Sequence, residues 1–92
     1  MSLKLVGLKD GRLAGSFDDF TIKITNDSSF SNYSNLYGHS NNINALVELN
    51  NQILASGSCD KNIIFWNLTS MSKLSTINAQ QSKYLKNYYL LK

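Results

Sequence analysis

Three residues of this chain have the types of a hydrolytic triad: His39, Ser56 and Asp60. In such a set a histidine takes the serine proton and a carboxylate orients the imidazole. The chemistry also needs an exposed serine beside an oxyanion hole, and the residues around Ser56 suggest neither. A structural role is expected for all three. Asp18 and Asp19 form an adjacent carboxylate pair that could hold a cation, but acidic residues in a tight turn usually serve the turn itself. Cys59 with Lys61 two residues on has the outline of an activated thiol; an incidental exposed cysteine is the expectation. The run Lys83-Tyr84-Leu85-Lys86-Asn87-Tyr88-Tyr89 mixes cations and aromatics, as single-stranded nucleic-acid sites do. There is no GxxxxGK phosphate loop and no dinucleotide fingerprint.

Composition bounds the remaining choices. With 92 residues the chain holds one small domain at most, and 42% hydrophobic residues exclude disorder by composition. One cysteine rules out an internal disulfide, and with a single histidine beside it a zinc site is not expected. No metal and no cofactor are expected. No apolar run approaches the roughly 18–20 residues of a membrane span, and the start MSLKLVGLKDGRL has no secretory h-region. An intracellular location, cytoplasmic or nuclear, is expected. The net charge is +3, and every acidic residue lies at or before Asp60, with five lysines after it. A solvated basic end is the simplest reading of that asymmetry.

The elements that must position these residues are short strands. Residues 3–8 are apolar-rich, and Asp10-Gly11 after them predicts a hairpin turn of type I′, with positive φ at both central residues. Leu13–Ser16 follows, then a turn at Asp18-Asp19, then Phe20–Thr25 with Phe20, Ile22 and Ile24 on one face. Residues 26–35 (NDSSFSNYSN) read as an irregular surface loop, so this unit has three predicted strands. After Gly38-His39, predicted strands cover Ile43–Leu49, Ile53–Ser58, Asn62–Asn67 and Leu74–Ile77. Residues 84–90 fit a further strand, with a helix as the competing reading. No proline occurs, so the turns are made by Asn, Asp, Ser and Gly.

The chain repeats itself. Leu8, Leu13 and Ala14 align with Leu49, Leu54 and Ala55 at an offset of 41 residues. With a one-residue gap opposite Ser56 the offset becomes 42, placing Asp18 on Asp60, Ile22 on Ile64 and Ile24 on Trp66. Short strands at such a period mark a radially repeated all-β fold. Gly38-His39, the run Leu54–Lys61, and Ile63-Ile64-Phe65-Trp66-Asn67 together resemble a WD40 repeat of a β-propeller, with Asn67 where the family closes on Asp. The resemblance is strong over 38–67 and weaker over 3–25 and 74–90. It implies antiparallel four-stranded blades in an incomplete propeller: a first, degenerate blade over 1–37, a second over 38–78, and over 79–92 the start of a third or a tail. It also implies that His39, Ser56, Asp60 and Trp66 form a hydrogen-bonded structural tetrad, which the first unit lacks because Ile24 stands at the tryptophan position.

What the resemblance implies about function is a non-catalytic scaffold that binds other proteins or peptides in an intracellular complex. Its candidate contact residues are on the loops: Asp10, Asp18, Asp19, Asn41, Asn42, Lys61 and Asn62. A propeller typically needs four to eight blades to close, so the remaining blades are expected in cis or in trans. The alternative is nucleic-acid binding through the basic, tyrosine-rich C-terminal third.

Overall fold

The computed structural model describes residues 4–27, 29–50 and 52–78. They form eight strands and no helix: β1 (Leu5–Gly7), β2 (Leu13–Ser16), β3 (Ile22–Thr25), β4 (Tyr33–Leu36), β5 (Ile43–Glu48), β6 (Ile53–Ser58), β7 (Asn62–Asn67) and β8 (Ser72–Asn78). They make two antiparallel four-stranded sheets, β1-β2-β3-β4 and β5-β6-β7-β8, each a simple meander. No sheet closes on itself among the described residues. The strand expected over 84–90, with its helical alternative, lies outside the described residues, as do Lys83 and Lys86.

The hairpin turns share one conformation. At Leu8–Arg12 the Gly11 N–H donates to the Leu8 carbonyl (3.0 Å) and the Leu8 N–H to the Arg12 carbonyl (2.8 Å). Gly11 alone has positive φ there, at 96°. This is a three-residue connection, a type I turn followed by a left-handed bulge residue, and not the expected type I′ turn. Phe20, Phe30, Gln52, Lys61 and Met71 take the same left-handed place in the other five turns, with φ between 55° and 72°. Phe20 is therefore a turn residue, 37% exposed, and not the first position of the β3 face. A second correction concerns residues 26–35. Their last part is strand β4, paired with β3 from Ile22↔Leu36 to Thr25↔Tyr33. Tyr33 and Ser34 are exposed and only Leu36 is buried. An edge strand held by backbone ladder bonds on one side needs no apolar alternation, so the polar sequence hid it.

Those turn residues also measure the repeat. Gly11, Phe20 and Phe30 recur as Gln52, Lys61 and Met71, each 41 residues on. Strand pairs follow the same shift: Val6↔Ala14 becomes Val47↔Ala55, Leu13↔Thr25 becomes Leu54↔Trp66, and Lys23↔Asn35 becomes Ile64↔Thr76. The offset is constant, and the gap expected opposite Ser56 does not exist. The partner of Asp60 in the first unit is Asp19 and not Asp18, and the residue at the Trp66 position is Thr25 and not Ile24. Local bonding agrees: Asp19 accepts from the Thr21 N–H as Asp60 accepts from the Asn62 N–H.

The two sheets stack front to back. Ala14, Ile22 and Ile24 from the first meet Leu54, Ile64 and Trp66 from the second in one core, with Leu8, Leu36, Ile43 and Leu68. The repeat equivalents of the first set, Ala55, Ile63 and Phe65, point away from this core. The equivalents of the second set, Leu13, Lys23 and Thr25, do the same on the other side. Lys23 takes the place of Ile64 on that outer face, and its ammonium is fully occupied. It donates to Asn35 Oδ1 (2.7 Å), Thr21 Oγ1 (3.1 Å) and Asp19 Oδ2 (3.3 Å) and lies over the Tyr33 and Phe17 rings. Between the sheets Arg12 acts as a clamp, donating to Gln52 Oε1 (2.9 Å) and the Leu68 carbonyl (3.2 Å) while paired with Asp10.

The left-handed turn places predict the sign of glycine substitutions. Gly11→Ala should cost about 1–2 kcal/mol, since an L side chain is strained at positive φ. Lys61→Gly should be neutral or stabilise by up to about 1 kcal/mol. Urea denaturation of the two variants checks both signs.

Candidate functional site

The site begins with a burial problem. Trp66 is the largest fully buried side chain, and its indole N–H must find an acceptor inside the core. On β7 it faces the core beside Ile64, and its ladder partner on β6 is Leu54. Two pairs further along, Ser56 on β6 opposes Ile64 and presents its hydroxyl on the same face. Trp66 Nε1 donates to Ser56 Oγ at 2.8 Å. His39 approaches from the segment linking the sheets and places Nε2 2.7 Å from the same oxygen. Its other nitrogen, Nδ1, lies 2.9 Å from Asp60 Oδ2 in the β6–β7 turn.

One tautomer satisfies every group. With the proton on Nδ1, His39 donates to Asp60 and accepts the Ser56 hydroxyl hydrogen on Nε2, while Ser56 accepts from Trp66. The four residues form a single chain of donors from β7 through β6 and the linker to a turn. The histidine and tryptophan rings add an edge contact at 6.4 Å. Gly38 supplies the entry. A Cβ there would stand 3.0 Å from Trp66 Cη2 and 3.2 Å from Ile64 Cδ1, so any side chain would make the indole and Ile64 give by a few tenths of an ångström.

Asp60 is an anchor as well as an acceptor. Its Oδ2 also receives the Ser40 N–H and its Oδ1 the Asn62 N–H, both at 2.9 Å. Burial by itself would raise this carboxyl, but the Ser40 N–H, the His39 ring and the Asn62 N–H together hold it below the ordinary aspartate value. The histidine side chain is 0% exposed and the aspartate side chain 5%. Ser56 is 1% exposed, and its oxygen is committed to two neighbours. Chemically, the arrangement can lock a linker and a turn onto two strands.

The loop candidates divide between the two ends of the sheets. Asp18, Asp19, Asn41, Asn42, Lys61 and Asn62 belong to the end carrying the β2–β3 and β6–β7 turns, where Cys59 N–H donates to the Asn42 carbonyl (2.8 Å). Asp10 lies at the opposite end, in the β1–β2 turn, paired with Arg12 at 2.7 Å. Asp18 and Asp19 do not work as a pair: Asp19 serves Thr21 and Lys23, and no group of three potential metal ligands occurs among the described residues. Cys59 is exposed. Sequence reading missed Arg12 and Ser40. Arg12 looked like the tail of a turn, and a backbone N–H such as that of Ser40 leaves no trace in a sequence. Compared with known proteins, the chain matches no family model, no curated protein and no solved structure.

Two measurements test the network. Ser56→Ala leaves the Trp66 N–H and the His39 ring nitrogen buried without a partner, at about 1–3 kcal/mol each; chemical denaturation should show a loss of about 2–6 kcal/mol. The second concerns pH. A carboxyl whose folded value is depressed contributes stability above the ordinary aspartate value of about 3.9, and that contribution is lost as pH falls through the folded value. The stability advantage of the natural chain over Asp60→Asn should therefore shrink on acidification below about pH 4. An advantage independent of pH would show that the Asp60 charge contributes nothing.

Proposed function

We propose that this chain is a non-catalytic protein-interaction module, part of a WD40-type β-propeller serving as a scaffold in an intracellular complex. The observation that carries the reading is the closed network of His39, Ser56, Asp60 and Trp66. Its polar groups are paired with one another or with the Ser40 and Asn62 N–H groups, so the residues with the most chemical capacity serve the fold. The groups left for a partner are on the turns. The 41-residue period, present in turn conformations and strand registers alike, supports a repeat architecture in which each sheet is one unit. In that architecture the outer faces are covered by further sheets of the same kind, in cis or in trans. No helix among the described residues is long and apolar enough to cross a membrane.

The partners are other proteins or peptides, docking at the end that carries Asp18, Asn41, Asn42, Lys61 and Asn62. Asp18, Lys61 and Asn62 stand on hairpins and Asn41 and Asn42 on the linker, whose Asn42 carbonyl is tied to the Cys59 N–H, which suits recognition without large rearrangement. A variant carrying Asp18→Ala, Asn41→Ala and Lys61→Ala should lose capture of a specific protein from cell extract while its thermal unfolding stays unchanged. A serine-reactive phosphonate should leave Ser56 unlabelled. Labelling at Ser56 would make the chain a hydrolase. Steeply salt-dependent RNA or DNA binding that disappears in Lys83→Ala/Lys86→Ala would favour the nucleic-acid reading instead.

A further inference from the structure

At the Arg12 end a cleft of about 230 Å³ opens between the β3–β4 hairpin and the β7–β8 turn. Ile24 and Met71 are among its lining residues, and Arg12, Asn26, Asn32 and Ser34 bring polar atoms to it. Most of the guanidinium is committed. Nε and Nη2 meet Asp10 Oδ2 at 2.8 and 2.7 Å, Nη2 also meets Gln52 Oε1, and Nη1 meets the Leu68 carbonyl. The other Nη1 hydrogen has only the thioether of Met71, with nitrogen and sulfur 3.9 Å apart. Thioether sulfur is a weak acceptor. A better acceptor entering the cleft would displace it without breaking any other bond of Arg12.

The charge around that hydrogen decides which acceptor. Asp10 already neutralises Arg12, and the lining contains no second cation and no acid. A carboxylate entering the cleft would face the Asp10 charge without a free cation to offset it. An apolar group would bury the guanidinium N–H and two side-chain amides without partners. A neutral carboxamide avoids both costs. Its carbonyl takes the Arg12 N–H, and its N–H groups find acceptors in the Asn26, Asn32 and Ser34 side chains, each of which can donate or accept.

We propose that this cleft binds the side-chain carboxamide of an asparagine or glutamine presented by a partner protein. The proposal rests on the protein-binding reading and gives that partner a second contact, at the end opposite Lys61 and Asn62. It places Arg12 in two roles, clamp between the sheets and donor to the partner.

Titration of the isotope-labelled full chain with small probes, followed by NMR, tests it. N-acetyl-asparagine N-methylamide should shift the backbone signals of Asn32, Tyr33, Ser34 and Met71. N-acetyl-aspartate N-methylamide, its charged counterpart, should bind about fivefold more weakly, the factor set by one net hydrogen bond, and N-acetyl-leucine N-methylamide, which carries only the backbone-type amides common to all three probes, should not bind there. N-methylacetamide, a backbone-type amide alone, should likewise leave these signals in place, and binding equal to that of the asparagine probe overturns the side-chain assignment. Arg12→Lys removes the fork but loosens the clamp. Ser34→Leu, on an exposed edge strand, closes the mouth instead and should abolish the shifts while the remaining spectrum stays in place. The proposal is overturned if no probe shifts these signals, if the aspartate or leucine probe binds as well as the asparagine probe, or if Ser34→Leu still binds. Because the probes are free small molecules, any of those results leaves the protein-binding reading standing, and that reading fails only in the capture experiment.

Discussion

The hydroxyl oxygen of Ser56 is the atom on which this structure turns. It is buried, it takes the only N–H of the largest core side chain, and it meets the histidine that ties the linker to the turn. A tryptophan of that size brings a large apolar area into a small core, but only if its polar handle is satisfied. Everything around it follows from that constraint. β6 must place a serine opposite Ile64, the linker must cross the indole at a glycine, and the turn must offer a carboxylate to the far side of the histidine. Losing the serine or the carboxylate leaves a buried polar group unpaired, and a side chain in place of the glycine crowds the indole.

The first sheet meets the same geometric demands with different chemistry. It has Thr25 where the second has Trp66, and Gly15 where the second has Ser56, so no indole needs an acceptor. Asp19 keeps the place of Asp60 but serves its own turn, bonding Thr21 and Lys23. Thr25, buried without a histidine network, donates to the Asn32 carbonyl instead. The two sheets thus share turns, registers and strand order while differing in what holds each face. Lys23 in the place of Ile64 shows why: that face does not pack on the other sheet, and a cation satisfied by its own neighbours closes it. Arg12 is the converse, a charged residue of the first sheet recruited to hold the second.

Much of this was legible in the residues. Period-two alternation at Ile22-Lys23-Ile24 and Ile64-Phe65-Trp66 marked the central strands and their buried faces. The spacing of Leu13-Ala14 and Leu54-Ala55 gave the 41-residue period. The gap placed opposite Ser56 came from matching residue types, Gly15 with Gly57 and Ser16 with Ser58, and so followed identity where geometry keeps register. Phe20 was counted into a strand because a phenylalanine in alternation looks like a core residue; the left-handed place in a type I turn with a bulge outweighed its β preference. Tyr33–Leu36 was passed over because an edge strand can be polar and still be held by its ladder.

By itself the sequence determined the class, the period and the residues able to form the buried network, since those depend on local alternation, turn chemistry and the pairing needs of an indole and an imidazole. Tertiary structure decided the rest. It decided that the repeat runs without a gap, that the sheets stack front to back so that equivalent residues face opposite ways, and that Asp10 sits at the far end from the other loop candidates. It also turned Arg12 from the end of a hairpin into a bridge between sheets. Those outcomes depend on which backbones come within hydrogen-bond reach of each other across 40 or so residues of chain, as Arg12 and Gln52 do, and no local pattern encodes that distance.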